Sequence, residues 1–184
     1  MNEVLVAFII VGLILGPFLW RAILAARRRK EAEDDFIEQY INDYAILTFY
    51  GSTLEIGGWI FYGRETQWER SESPIEGITK IDSYLGTFTL AIPPGEYDTI
   101  SSFSYNYGNG SQLGGTGYTK KTSKSLFLEK GCQYRYRLKY FSAIVKKPKY
   151  RILFEETVVS PNPMGSRQNM EHTLVLEQLI KENK

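Results

Sequence analysis

The sequence predicts a mainly β protein: an antiparallel β-sandwich with an N-terminal transmembrane helix and a C-terminal amphipathic helix. Three observations carry this. Val4 to Leu19 (VLVAFIIVGLILGPFL) is an uncharged apolar run. From Tyr44 to Val159, short apolar or alternating runs are separated by Gly, Pro, Asn and Asp clusters, with no helical period between them. Near Gln168–Glu182, Met170, Leu174, Val175, Leu179 and Ile180 fall close to one helical face. The chain then divides into an anchor over 1–26, a charged helical linker over 27–43, a sandwich over 44–160, and a loop with a C-terminal helix over 161–184.

The anchor is argued from length. At 1.5 Å rise per residue, roughly 20 apolar residues cross a hydrocarbon core of about 30 Å. Val4–Leu19 continues through Trp20 and Arg21 into the apolar AILAA of Ala22–Ala26. It reaches that length if Arg21 extends its stem along the helix toward the headgroups. Trp20 is the side chain expected at that interface, and Pro17 is tolerated better in a bilayer helix than in water. A cleaved signal peptide is disfavoured, because Glu3 precedes the run and the cationic cluster follows it. A buried helix of a soluble domain is disfavoured by the length of the run. Arg21, Arg27, Arg28, Arg29 and Lys30 all lie C-terminal to the run, so the positive-inside rule predicts a single-pass cell-membrane protein with its N-terminus outside and its large domain in the cytoplasm. Trp20, Arg21, Arg27, Arg28, Arg29 and Lys30 form the expected membrane interface.

In the linker, base is followed by acid: Arg27–Lys30, then Glu31, Glu33, Asp34, Asp35 and Glu38. Three- and four-residue offsets of opposite charge support a continuing helix. Phe36, Ile37, Tyr40 and Ile41 form one stripe, which predicts docking on the domain.

Eight strands are expected: Ala45–Tyr50, Gly58–Tyr62, Ile78–Ile81, Gly86–Ile92, Asp98–Tyr107, Ser123–Leu128, Gln133–Val145 and Tyr150–Val159. Pro93-Pro94-Gly95 ends the fourth, since proline donates nothing to a ladder. Without helices between strands, parallel βαβ crossovers are not expected. The seventh alternates most cleanly, with Tyr134, Tyr136, Leu138 and Tyr140 on one face and Gln133, Arg135, Arg137 and Lys139 on the other.

The stretch from Gly86 to Tyr140 carries Ile92-Pro93-Pro94-Gly95-Glu96-Tyr97 and then Leu128-Glu129-Lys130-Gly131-Cys132-Gln133-Tyr134. This grammar resembles small bacterial prealbumin-like and lipoprotein-like β-sandwich domains of unknown function. The resemblance rests on turn motifs and implies a non-catalytic accessory or binding module. The lipid-anchor cysteine of the lipoprotein-like members has no counterpart here.

The chemistry is bounded by composition. The 184 residues include one His and one Cys, which excludes intramolecular disulfides, multi-Cys zinc sites and two-imidazole sites. Net charge is +1, yet residues 31–111 hold fourteen acids and three bases, and residues 112–154 hold eleven bases and one acid. No nucleophile elbow or phosphate-loop motif occurs. The glycine-rich stretch Gly108–Gly117 reads as a hairpin loop, and Asn109-Gly110-Ser111 as a turn on the cytoplasmic side. A Cys132–His172 pair has no local signature. Cofactors and metals are not expected. The remaining candidates are Arg135, Arg137, Lys139, Lys146, Lys147 and Lys149, with Arg151 nearby, as contacts to an acidic partner or an anionic surface. Nucleic acid is disfavoured because the interleaved tyrosines face away from the cations.

The expected function is therefore a membrane-anchored, non-catalytic module that binds a protein partner, or a second copy of itself, and organises a membrane-associated assembly. One alternative is an extracytoplasmic ligand or carbohydrate binder using Trp59, Trp68 or Tyr118. The other is a membrane-bound hydrolase drawing on Glu55, Glu65, Glu69, Glu72 or Glu76.

Overall fold

The computed structural model describes residues 3–63, 68–70, 74–82, 87–107, 115–139, 150–161 and 169–180, with the backbone alone for 3–14, 68–70, 82 and 107. One helix, α1 (Glu3–Tyr40), is followed by thirteen strands among the described residues. They are β1 (Ala45–Tyr50), β2 (Thr53–Ile56), β3 (Trp59–Tyr62), β4 (Trp68–Arg70), β5 (Thr79–Asp82), β6 (Phe88–Ile92) and β7 (Gly95–Ser102). The rest are β8 (Ser104–Tyr107), β9 (Gly115–Tyr118), β10 (Thr122–Leu128), β11 (Gln133–Leu138), β12 (Tyr150–Ser160) and β13 (Met170–Leu179). The first sheet has the order β12-β13-β11-β1-β6-β5, the second β10-β7-β2-β3-β4, and β8 and β9 form a two-stranded ribbon.

The mainly β character and the antiparallel sheets follow the alternation in the sequence. Leu47, Phe49, Phe88, Leu90, Tyr134 and Tyr136 of the first sheet share one buried cluster with Leu54, Ile56, Phe61, Leu126 and Leu128 of the second. At its centre the Phe49 ring lies 5.2 Å from Phe88, 5.1 Å from Phe103 and 5.7 Å from Tyr136. These tilted contacts suit the ring quadrupoles. Buried polar groups between the sheets are paired: Ser101 Oγ with the Tyr136 hydroxyl at 3.1 Å, and Thr99 Oγ1 donating to the Lys124 carbonyl at 2.9 Å.

Three expectations are corrected. The segment carrying Met170, Leu174, Val175, Leu179 and Ile180 is no amphipathic helix; it is β13, paired antiparallel with both β12 and β11. Its apolar spacing fits either period. Pairing on both sides decides the matter by sending Leu174 and Leu176 into the core and Val175 and Glu177 to the opposite face, all four buried. The sheets are not wholly antiparallel, because β1 runs parallel to β11. The chain between them passes through the second sheet, so this crossover needs no helix. The fifth expected strand is two, β7 and β8. At Phe103 the backbone N–H turns to Thr119 Oγ1 (3.0 Å), while its carbonyl accepts from the Thr119 N–H (2.9 Å). The chain thereby exchanges one partner strand for another and buries the Phe103 ring. The seventh strand ends at Leu138; the rest of its expected span, from 140 to 145, and the lysines beyond it, Lys146, Lys147 and Lys149, lie outside the described residues.

Strand β2 was hidden by its composition, since TLEI carries only two apolar residues. Its hairpin with β3 turns on Gly57 and Gly58, both at positive φ (57° and 76°), the conformation that two-residue hairpin loops require.

α1 runs unbroken through Pro17 to Tyr40. An i,i+4 ion pair between Arg27 and Glu31 (2.9 Å) bridges successive turns. Its C-terminal end docks on the outer face of the first sheet. Phe36 is buried against Ile46 and Ala91, with Ile37, Tyr40, Ile41 and Tyr44 packed around it. No helix among the described residues is long and apolar enough to cross a membrane. The side chains of 1–14, where most of the Val4–Leu19 run falls, lie outside the described residues.

Gly51 sits where a Cβ would overlap the Phe49 ring and press on Phe103. Gly51→Ala is therefore expected to lose about 1–3 kcal/mol, the usual cost of overpacking, measured by urea denaturation of the full chain.

Candidate functional site

The outer face of the first sheet collects the basic residues of β11. Register places Arg135 opposite Thr48 of β1 and Glu177 of β13, and Arg137 opposite Tyr50 and Val175. Arg137 does not face solvent as a free cation. Its Nε and Nη2 donate to Glu177 Oε2 and Oε1 at 3.0 and 2.9 Å, a bidentate pair that is largely buried. The Arg135 guanidinium stacks over the Tyr150 ring, 4.1 Å from its centroid. Lys139 pairs with Glu155 at 2.7 Å on the surface. Of the residues expected to meet an acidic partner, Arg135, Arg137 and Lys139 are thus engaged by β12 and β13, and Lys146, Lys147 and Lys149 lie outside the described residues. Those strands supply Glu155 and Glu177, acids that lie just beyond the basic stretch in sequence.

The same face reaches the helix. Thr89 Oγ1 donates to Glu33 Oε1 of α1 at 2.7 Å and lies 3.1 Å from Thr48 Oγ1. Burial pushes the Tyr50 phenol up, partly offset by Arg135, and Tyr150 moves the same way for the same reason. In the core, burial pushes Tyr136 up to about 12 against the lowering effect of its Ser101 hydrogen bond. Phenols held protonated this firmly are unsuited to act as bases near neutral pH.

The second sheet presents a different outer face. A groove of about 480 Å³ is lined by Glu55, Trp59, Ile60, Asp98, Ile100 and Ser123. Glu55 is paired with Lys121 at 2.8 Å. The Trp59 indole N–H donates to the Ile75 carbonyl at 2.9 Å and its ring leans on the core, so this ring belongs partly to the fold. Tyr118 is exposed on the ribbon. Trp68, as a side chain, lies outside the described residues, as do Glu65, Glu69 and Glu72. Glu76 is exposed. Ile100 and Phe127 add exposed apolar surface to this face, and Phe127 is 64% exposed.

Cys132 and His172 are not brought together. Tyr134 is opposite Gln178 in register, which leaves eight strand positions, roughly 26 Å, between them. Cys132 Sγ instead lies 3.8 Å from Glu129 Oε2. His172 Nε2 is 3.0 Å from Ser160 Oγ, and its ring packs on Tyr105 at 4.2 Å. This serine–histidine contact was not visible in sequence, because it depends on pairing β12 with a segment read as helix. Ser160 is fully buried and His172 half-buried, and the pair is a cross-strand polar contact. No group of three or more His, Cys, Asp or Glu side chains suited to a metal occurs among the described residues. Residues 108–114 of the glycine-rich stretch lie outside the described residues, and 115–117 belong to β9.

No family model, curated protein or solved structure matches the chain. Its two turn motifs therefore have to be read from geometry. In the Pro-Pro-Gly-Glu-Tyr segment, the Tyr97 hydroxyl donates back to the Pro93 carbonyl at 2.6 Å. In the Gly131 segment, the Tyr134 hydroxyl accepts from the Glu129 N–H at 2.8 Å, across a turn whose Gly131 has φ of 75°. Both tyrosines reach back over the turn that precedes their strand, in the manner of a tyrosine corner. The motifs are latches on strand entry.

Two outcomes follow. Glu177→Gln is expected to cost about 3 kcal/mol by leaving Arg137 buried and half-paired, whereas Arg137→Met with Glu177→Leu recovers most of the loss in urea denaturation. Burial lowers the His172 pKa below 6.5, so the unfolded chain takes up a proton before the folded one does. Stability contributed by neutral His172 is present above 6.5 and is lost as pH falls through 6.5 toward the folded pKa. A melting temperature measured from pH 7.5 to 5.5 should fall more for the natural chain than for His172→Gln.

Proposed function

We propose that the chain is a single-pass membrane-anchored, non-catalytic β-sandwich module that holds a protein-binding face at a set distance from the bilayer. One observation carries this: α1 is a single helix whose end is locked to the sheet by Phe36 and Glu33, while Leu15, Phe18, Leu19, Trp20 and Ile23 are all exposed along its earlier turns. Apolar side chains presented together on a helix far from the core call for cover by lipid or by another chain. The apolar run Val4–Leu19 continues that surface in sequence, and the cations Arg27–Lys30 fit the headgroup layer beyond it. From Arg27 to Phe36, nine residues at 1.5 Å set a stand-off of roughly 14 Å.

The binding face of this reading is the outer face of the second sheet. The outer face of the first is occupied by α1 and by its own ion pairs, whereas Ile100 and Phe127 of the second stay exposed. The turn-motif resemblance to accessory sandwich modules agrees with a binding role and leaves the partner open.

Alkaline extraction of cell membranes tests the anchor. The full chain is expected in the pellet, and a chain lacking residues 1–26 in the supernatant. Labelling of Cys132 with an impermeant maleimide tests orientation. A cytoplasmic domain is labelled only after permeabilisation, and labelling in intact cells defeats the proposed topology.

A further inference from the structure

The two sheets meet along one side where β10, the edge of the second, runs beside β12, the edge of the first. One end of this seam is closed. Lys120 N–H donates to the Val159 carbonyl at 3.4 Å, and Lys124 Nζ lies 2.6 Å from Glu156 Oε2. Toward the start of β12 the strands part. The cause is a bulge between Ile152 and Phe154, which leaves Leu153 without a register partner and bends the strand.

Two connected hollows result. The first, about 240 Å³, is walled by Leu126, Phe127, Tyr134, Leu153, Phe154 and Leu176. The second, about 440 Å³, is bounded by Lys130, Cys132, Leu179 and Ile180. Arg151 and Gln178 line both and so mark their junction. The Arg151 guanidinium donates to the neutral Gln178 Oε1 at 2.8 Å and forms no ion pair among the described residues. Lys130, at the rim, makes an exposed pair with Asp43. Glu129 also borders the first hollow, and its carboxylate lies beside the Cys132 thiol.

We propose that this seam binds a single-chain amphiphile bearing a carboxylate head, with its tail in the hollow walled by Leu153 and its head on Arg151. An apolar slot that ends at a cation with no charged partner among the described residues suits an anion with an aliphatic tail. A peptide strand added to the edge is the poorer occupant. The bulge at Leu153 breaks the regular run of backbone donors and acceptors that strand addition requires. The inference is independent of the membrane anchor; Phe127 borders both this seam and the proposed partner face, and the readout below needs no partner.

Cys132, the only cysteine, borders the second hollow together with Arg151, the seat of the head group, and so reports occupancy at the junction. The full chain in lipid nanodiscs is alkylated with N-ethylmaleimide at pH 7.5 in the presence of decanoate or decanol. At ten times its half-saturating concentration, decanoate is expected to slow alkylation about tenfold. Decanol, which partitions into the same lipid, should leave the rate unchanged. Arg151→Gln should raise the half-saturating decanoate concentration about tenfold, the loss of one charge-assisted contact. Leu153→Glu, at a site already exposed, should abolish protection while near-ultraviolet circular dichroism stays as in the natural chain. Calorimetric titration of the same samples supplies the affinity where alkylation is slow. Absence of decanoate binding by both methods overturns the proposal. So does equal protection by decanol, or an unchanged half-saturating concentration in Arg151→Gln.

Discussion

Burial of β1 on both faces is the constraint around which the molecule is arranged. On its inner face Ala45, Leu47 and Phe49 enter the core shared by the two sheets. On its outer face Ile46 and Ala91 of β6 receive Phe36 of α1. A strand covered on one side only would need polar residues at every second position. AILTFY instead has apolar residues at both parities, with Thr48 finding Thr89 in the remaining gap. The helix is therefore required by the sheet as much as supported by it. Without α1, Ile46 and Ala91 would lie open to water beside the Thr48–Thr89 pair.

The segregation of charge along the chain is resolved by strand order. β11 brings Arg135 and Arg137 into a layer where β13 lies next to it and β12 beyond, and those strands carry Glu177 and Glu155. The acids of the chain's first third are spent elsewhere: Glu33 on Thr89, Glu31 on Arg27, Asp43 on Lys130. Among the described residues, charges segregated along the sequence meet in close pairs. Most are exposed and contribute little to stability. The Arg137–Glu177 pair is the exception, because its burial makes each partner a liability without the other.

Legibility in the sequence followed the locality of the cause. The stripe Phe36, Ile37, Tyr40 and Ile41 is a helical spacing, and the side chains that pack on the sheet are that set. Ala45–Tyr50 was readable because a buried strand bounded by turns needs little context. The alternation of Tyr134, Tyr136 and Leu138 against Arg135 and Arg137 put the right residues in the core. Where the cause was a neighbour distant in sequence, the reading failed. The apolar residues of Met170–Leu179 suit a helix until β11 and β12 claim their backbone on both sides. The parallel pairing of β1 with β11 has no local signature at all. The basic residues were found, but their partners were not, since pairing Arg137 with Glu177 requires β13 to be a strand. A local signal was also overlooked: Gly57-Gly58 between TLEI and WIFY marks a two-residue hairpin, and with it β2.

The layer order then limits how the module can work. α1 lies against the outer face of the first sheet, and the second sheet packs on its inner face. The outer face of the second sheet therefore points away from the helix. The final turns of the helix are fixed by a ring contact and a hydrogen bond to the sheet, with three tilted or edge-on aromatic partners in Phe36, Tyr40 and Tyr44. The strut has no glycine or proline between Arg21 and Tyr44 at which it could bend. A flexible tether would let the domain search all orientations and would raise only its local concentration. Under the proposed reading, a helix docked in this way would set orientation as well as distance, and the contact between Phe36 and β1 would select the face turned toward a partner.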